Sequence, residues 1–231
     1  MQAIILAGGL GTRLRSVVND LPKCMAPVAG KPFLHYVIQQ LLKQGVQQFI
    51  FSLGYMSEHI TGYLQAHYPQ LNYQVSIETE PLGTGGAILL ASHLAKENDV
   101  IVLNGDTLFT VQLSALYQLH QQQQAACTLA LKPMQNFNRY GVVQINQQQA
   151  ITSFKEKQWY QQGLINGGVY LVNIAALQQA ALPQKFSFEK DYLEVQVNTG
   201  KLYGLVQDEY FIDIGIPEDF NRAQQELASL G

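Results

Sequence analysis

The stretch AIILAGGLGTRL, from Ala3 to Leu14, decides the fold. Ala3 to Ala7 is an apolar run of strand length, and Gly8, Gly9 and Gly11 follow it at once. A glycine loop directly after a strand lets backbone N–H groups approach an anion that a Cβ would hold away. Arg13 adds a permanent charge on a planar fork that suits phosphate oxygens, and Lys23, in Leu21-Pro22-Lys23, adds a compact second cation. The pattern predicts a polyphosphate loop. Its expected nucleotide contacts are Leu6, Ala7, Gly8, Gly9, Gly11, Thr12 and Arg13, with Lys23 nearby. Two commoner loops fail the test. A dinucleotide fingerprint starting at Gly9 would need glycine where Leu14 stands, and a Walker A loop starting at Gly8 would need Gly-Lys where Arg13-Leu14 stand.

Outward from this loop the chain alternates between strand and helix patterns. Pro32 to Lys43 carries apolar residues at helical spacing, Gln48 to Leu53 is a buried strand, and Ser57 to His67 a helix. Tyr73 to Ile77 alternates as a strand, Gly83 to Ala95 is helical, and Val100 to Leu103 is an apolar strand ending in Asn104-Gly105-Asp106. Such alternation predicts a Rossmann-like α/β fold, with a mixed but mostly parallel sheet flanked by helices. Ligands of such sheets sit at the carboxyl ends of strands, which is where both the Gly8 loop and the Asp106 turn fall. The second half changes character. Ala126–Lys132, Gly141–Ile145, Ile151–Glu156 and Gly168–Val172 read as strands of a small antiparallel extension. Phe188 to Gly200 reads as helix, Leu202 to Ile214 as one strand, and Glu218 to Leu230 as a closing helix introduced by Pro217. The glutamine runs at 121–124 and 147–149 read as a solvated helix end and a hairpin tip. With no linker or repeat, residues 1–231 read as one domain, 1–125 mainly for the nucleotide and 126–231 mainly for its co-substrate.

Composition narrows the class. The chain is 47% hydrophobic and only 13% charged, with net charge −3 and no basic cluster, which excludes general nucleic-acid binding. No window approaches the ~20 apolar residues of a membrane span. Cys24 and Cys127 have no metal spacing and read as free thiols of a reducing compartment. The start MQAIILAGG lacks a basic n-region, so no signal peptide is expected and a cytoplasmic setting is. The five histidines are scattered and read as packing or surface residues.

The loop GGxGTRL with its downstream Pro22-Lys23 resembles that of the sugar-1-phosphate nucleotidyltransferases, and the resemblance spans nearly the whole chain. It implies the nucleotide-diphospho-sugar transferase fold and transfer of a nucleotidyl group from a nucleoside triphosphate to a sugar 1-phosphate, with pyrophosphate leaving. The nucleophile is a phosphate already ionised at pH 7, so catalysis needs alignment and charge neutralisation rather than a general base. Arg13, Lys23 and Asp106 are the expected catalytic residues, with Arg13 on the leaving pyrophosphate and Lys23 on the α-phosphoryl group. Mg²⁺ is the expected cofactor. Hard Mg²⁺ takes one or two carboxylates, and Asp106 and Asp213, the latter in a D-x-G-x-P turn, are its expected ligands. Asp213 also has a cap reading, and Glu218 is better placed as a partner for the last helix dipole.

Glu80-Pro81-Leu82-Gly83-Thr84-Gly85-Gly86 is the expected base-binding segment, with Gly85 beside the ring and Glu80 as discriminator. An ionised carboxylate only accepts hydrogen bonds, and guanine offers N1–H and N2–H₂ side by side. GTP is therefore favoured, and a solvated loop acid is the alternative reading of Glu80. The resemblance places the sugar phosphate on Gly141, Glu156, Lys157 and Asn166: the glutamate and asparagine on sugar hydroxyls, the lysine on the phosphate. Within the family, residues 186–194 and 210–220 look like the group acting on D-glycero-α-D-manno-heptose 1-phosphate, which makes GDP-heptose for bacterial surface polysaccharide. Mannose 1-phosphate is the alternative substrate, and a non-catalytic nucleotide-sugar-binding subunit the alternative class. Many relatives carry a C-terminal β-helix that nothing here can form, so a catalytic domain alone is expected. Many are dimers, which leaves a homodimer open.

Overall fold

In a computed structural model that describes residues 1–9 and 21–230, the apolar runs of the first half become the centre of one large sheet. In chain order it begins with β1 (Gln2–Leu6), a small hairpin of β2 (Pro27–Val28) and β3 (Lys31–Pro32), α1 (Phe33–Lys43), β4 (Gln48–Leu53), α2 (Ser57–His67) and β5 (Tyr73–Ile77). Then come α3 (Gly83–Ser92), β6 (Asp99–Asn104), β7 (Thr107–Phe109) and α4 (Leu113–Gln123). Strand β1 lies parallel between β4 and β6, and β5 extends the parallel set beyond β4. These strands are covered on both faces, which is why β4 and β6 read as continuous apolar runs instead of alternating ones. On α1 the residues Phe33, Leu34, Val37, Ile38 and Leu41 are buried, the face that the helical spacing predicts.

The second half adds β8 (Cys127–Phe137), β9 (Val142–Ile145), β10 (Ile151–Lys155), β11 (Tyr160–Asn173), α5 (Ile174–Gln179), α6 (Glu194–Gln196), β12 (Leu202–Val206), β13 (Phe211–Asp213) and α7 (Pro217–Glu226). Strand β11 is the hinge of the design: one end lies antiparallel between β6 and β8, while the other follows β8 and touches β9 at the edge. Its register shifts between Asn166 and Tyr170, so a bulge re-aims the side chains there. The sheet thus runs β5–β4–β1–β6–β11 and continues into antiparallel pairings, with β12 returning parallel to β8. The mixed, mostly parallel sheet with a small antiparallel extension is the architecture the sequence predicts.

Three predicted elements come out differently. Residues 202–214 form two strands instead of one. The polar segment 207–210 leaves the sheet, Gln207 Oε1 accepting from Gln112 N at 2.7 Å, and β13 then pairs antiparallel with β7. The predicted helix Phe188–Gly200 is broken into a π-helical turn (Phe188–Leu193), the short α6 and a 3₁₀ turn (Val197–Thr199). Predicted strand Gly168–Val172 is only the end of the 14-residue β11. The glutamine run at 147–149 does sit at a hairpin tip, where Asn146 Oδ1 accepts from Gln148 N and Ala150 N at 2.9 and 3.0 Å.

Candidate active site

Two cavities open side by side along the carboxyl ends of β1, β4 and β6. The first has a volume of about 730 Å³ and is lined by Leu6, Ala7, Gly8 and Gly9 after β1, by Gly54 and Tyr55 after β4, and by Glu78, Glu80, Gly83 and Thr84 before and at the start of α3. Lys23 and Asp106 complete it. The second, of about 390 Å³, is lined by Gly141, Glu156, Lys157 and Asn166, together with Asp213, Tyr140, Tyr170 and Glu189. Asn104, the last residue of β6, borders both. Of the sequence-predicted nucleotide residues, Leu6, Ala7, Gly8, Gly9, Lys23, Glu80 and Asp106 fall on one cavity and Gly85 does not, while the predicted sugar-phosphate residues fall on the other. Gly11, Thr12 and Arg13 lie outside the described residues.

The first cavity exists because two backbones nearly touch. A Cβ on Gly8 would come within 3.0 Å of both Gly54 N and Glu78 Oε1. Only glycine lets the loop after β1 lie this close to the end of β4. Glu78 is itself fixed, its Oε2 accepting from Leu82 N at 2.9 Å and its own N–H reaching Leu53 O at 2.8 Å. The neighbour cannot give freely, so Gly8→Ala is expected to cost about 1–3 kcal/mol through overpacking. Thermal denaturation of the variant checks this. A midpoint equal to that of the parent protein would mean the loop has slack.

At the seam between the cavities, the side chains of Lys23, Asp106 and Asp213 converge. The Lys23 ammonium lies 2.5 Å from Asp106 Oδ2 and 3.5 Å from Asp213 Oδ1. Residues 106 and 213 are distant in sequence but adjacent here because β7 and β13 pair with Thr107 opposite Asp213. Ile214 N then donates to Asp106 O at 3.1 Å, and Gly105 N to Leu6 O at 2.8 Å, so the Asp106 turn is stitched to both β1 and β13. Asp213 does two jobs. Its Oδ1 also accepts from Gly215 N at 2.8 Å, which closes the turn after β13; the alternative reading of Asp213 as a helix cap does not hold, since α7 begins at Pro217 with Ile216 at its N-cap and no side chain capping it. Glu218 is exposed in the first turn of α7, where a carboxylate suits the helix dipole.

A second tier, outside the sequence-predicted site residues, holds Asp213 in place. Tyr140 OH donates to Asp213 Oδ2 at 3.4 Å. Burial, and then the Asp213 charge, push the Tyr140 phenol well above its usual range, so it stays protonated and remains a donor. Arg139 sits 3.7 Å from the same Asp213 oxygen, ion-pairs with Asp219 on α7 and donates to Tyr140 OH at 3.0 Å. Neither Arg139 nor Asp219 is among the sequence-predicted site residues, since only folding brings 139, 213 and 219 together.

In the predicted base segment, Glu80 is exposed on the cavity wall and has no partner among the described residues. That placement suits both readings of Glu80, the base discriminator and the solvated loop acid. Gly85 stands differently from the expectation. The ring of Phe186 lies 2.0 Å from where its Cβ would be, and its N–H donates to Phe186 O at 3.0 Å, so Gly83 and Thr84 line the cavity instead. Cys24 and Cys127 are both buried and free; burial, reinforced by Asp106, pushes the Cys24 thiol up to about 12, so neither behaves as a nucleophile. No group of three or more His, Cys, Asp or Glu stands together among the described residues, and no helix of theirs is long and apolar enough to cross a membrane.

A glycine loop against a strand end and a lysine between two aspartates thus stand where two cavities adjoin at the carboxyl ends of the strands. The chain belongs to the nucleotidyl transferase family, whose model matches residues 2–229. Among its relatives is D-glycero-alpha-D-manno-heptose 1-phosphate guanylyltransferase of Aneurinibacillus thermoaerophilus, 52% identical over 98% of both chains. The enzyme of the same name from Campylobacter jejuni is 46% identical over 95% of this chain and 97% of its own. Among solved structures, HddC from Yersinia pseudotuberculosis complexed with GMP-PN superposes with a TM-score of 0.86 at 36% identity, covering 98% of this chain and 99% of that one.

Proposed function

We propose that this protein transfers GMP from GTP to a sugar 1-phosphate, D-glycero-α-D-manno-heptose 1-phosphate, giving GDP-heptose and pyrophosphate. The observation that carries the reading is the seam, where Lys23, Asp106 and Asp213 stand between one cavity of nucleotide size and another lined by Glu156, Lys157 and Asn166. The heptose and the guanine are further supported by the names of the two relatives and by the GMP-PN held by HddC. A cytoplasmic setting belongs to this reading, since its nucleotide substrate is an intracellular one.

The residues divide the work by charge. Backbone N–H groups of the Gly8–Gly9 loop take the phosphates, as a cradle free of Cβ atoms can. Lys157 binds the phosphate of the sugar and aims its oxygen, while Glu156 and Asn166 hold sugar hydroxyls. Lys23 offsets the negative charge that builds at the α-phosphoryl group, and Arg13 that of the departing pyrophosphate. The Asp106–Asp213 pair already gathers a cation, the Lys23 ammonium, and its two hard carboxylates fit Mg²⁺ completed by substrate phosphates. Held by Asp106 and Asp213, the metal would supply positive charge to neutralise the substrate phosphates. Tyr140 and Arg139 hold Asp213 in its orientation.

Pyrophosphate release with Mg²⁺ tests the reading, using GTP, ATP, CTP and UTP, each with heptose 1-phosphate or mannose 1-phosphate. Release confined to GTP and the heptose phosphate is expected. A clear preference for mannose 1-phosphate would overturn the sugar, and silence in every combination the reaction. Glu80→Gln isolates the base. It puts a donor where guanine presents donors, so kcat/KM for GTP is expected to fall about 10–200-fold, the effect of a ~1–3 kcal/mol loss. Unchanged GTP selectivity in that variant would return Glu80 to a solvated loop acid.

A further inference from the structure

The π-helical turn Phe188–Leu193 belongs to neither cavity's predicted residues, yet Glu189 and Lys190 line the second cavity and Glu189 is bonded to Thr84 on the wall of the first. Glu189 lies at its start. Its Oε2 accepts from Thr84 Oγ1 at 2.8 Å and from Ser187 Oγ at 3.1 Å, and its Oε1 accepts from Tyr170 OH at 3.3 Å. Thr84 lines the first cavity; Tyr170 and Glu189 line the second. The chain of bonds continues at both ends. Asn166 Nδ2 donates to Tyr170 OH at 2.8 Å, Asn166 Oδ1 accepts from Gly168 N at 3.0 Å, and Phe188 N donates to Thr84 Oγ1 at 2.9 Å. Tyr170 is buried and its phenol is held far above its usual range by burial and then by Glu189, so the hydroxyl remains a donor.

The backbone beneath this chain of bonds is tight. The Phe186 ring and carbonyl pack on Gly85 and Gly83 with no space for a side chain, and Phe186 N donates to Leu82 O at 3.0 Å. Segment 186–189 and the first turn of α3 therefore move as one body. π-helical turns are rare and concentrate at functional sites.

We propose that Glu189 is a positioning residue that couples the two cavities, so that nucleotide held against Thr84 orders Tyr170 and Asn166 for the sugar phosphate, and the reverse. The inference rests on the proposed function, since it needs one substrate in each cavity. Coupling of this kind is reciprocal and is read as a ratio of affinities. Glu189→Gln keeps the shape but breaks one link. With its amide oxygen toward Thr84 and Ser187, its NH₂ faces a Tyr170 hydroxyl that already accepts from Asn166 and has lost its acceptor. Tyr170→Phe removes the same link from the other side.

Titration calorimetry on the full chain measures the coupling, with heptose 1-phosphate and mannose 1-phosphate as probes, each with and without a saturating GTP analogue uncleavable between its α- and β-phosphates. In the parent protein the analogue is expected to tighten sugar-phosphate binding at least about fivefold. In Glu189→Gln and in Tyr170→Phe the ratio is expected to fall below about two, with the double variant no lower, because both cut one link. Ratios in both variants equal to that of the parent overturn the coupling, as does a parent ratio of one. Failure of the parent to bind the analogue or either sugar phosphate is a separate result, which removes the proposed function and this inference with it.

Discussion

Asp106→Ala is expected to lower pyrophosphate release about 10²–10³-fold, roughly 2.7–4 kcal/mol of transition-state stabilisation. Asp106 lies where the two cavities meet, in contact with Lys23 and on a turn fixed to β1 through Gly105 and to β13 through Ile214. Those turn bonds use backbone atoms, which alanine retains, so the fold should survive. The loss should therefore fall on kcat, with a circular dichroism spectrum like the parent's. Near-normal turnover would remove Asp106 from the reaction and the proposed metal pair with it.

Lys23→Ala should lose a similar ~10²–10³ in turnover, and should differ in a way that Asp106→Ala cannot. In the ligand-free protein the ammonium is the cation between Asp106 and Asp213. Without it, the two carboxylates keep only Arg139, on the far oxygen of Asp213, to offset their mutual repulsion. The variant is therefore expected to bind Mg²⁺ more tightly than the parent in the absence of nucleotide while turning over far more slowly. Mg²⁺ titration by calorimetry, alongside the turnover assay, reads both. Turnover within a few-fold of the parent would make Lys23 only a structural counter-ion, and Mg²⁺ affinity unchanged or weaker would mean the acid pair is not the metal site.

Both variants act at a place that was half legible. The β1 strand, its glycine loop, the α1 helix and the apolar β4 and β6 strands could be read directly, because strand and helix periods and glycine–proline punctuation are local properties. Many residues that line the two cavities could also be named, since motif residues sit within a few positions of strand ends. Tier-two residues were different. Arg139 and Asp219 carry no local signature, because each matters through a partner remote in sequence. Gly85 illustrates the same limit from the opposite side. Its spacing suggested room for a base, while its actual neighbour is the ring of Phe186.

The breaks in predicted elements share that cause. Residues 202–214 have the composition of one strand, yet β12 finds its partner in β8 and β13 in β7, on different sheets. Residues 188–200 have a helical composition, but hydrogen bonds from Thr84 and Tyr170 to Glu189 anchor the first turn, which is wound as a π-helix. By itself the sequence determined the strand-and-helix alternation, the phosphate loop and which residue types the chemistry would draw on, since these depend on backbone freedom, side-chain period and charge. Only the tertiary structure decided which of those residues meet. The pairing of Thr107 with Asp213 brings the two aspartates to one lysine, and the bend of β11 sets Asn166 and Tyr170 beside Glu189. Contacts between residues so far apart in the chain arise from strand register and packing, which no local pattern encodes.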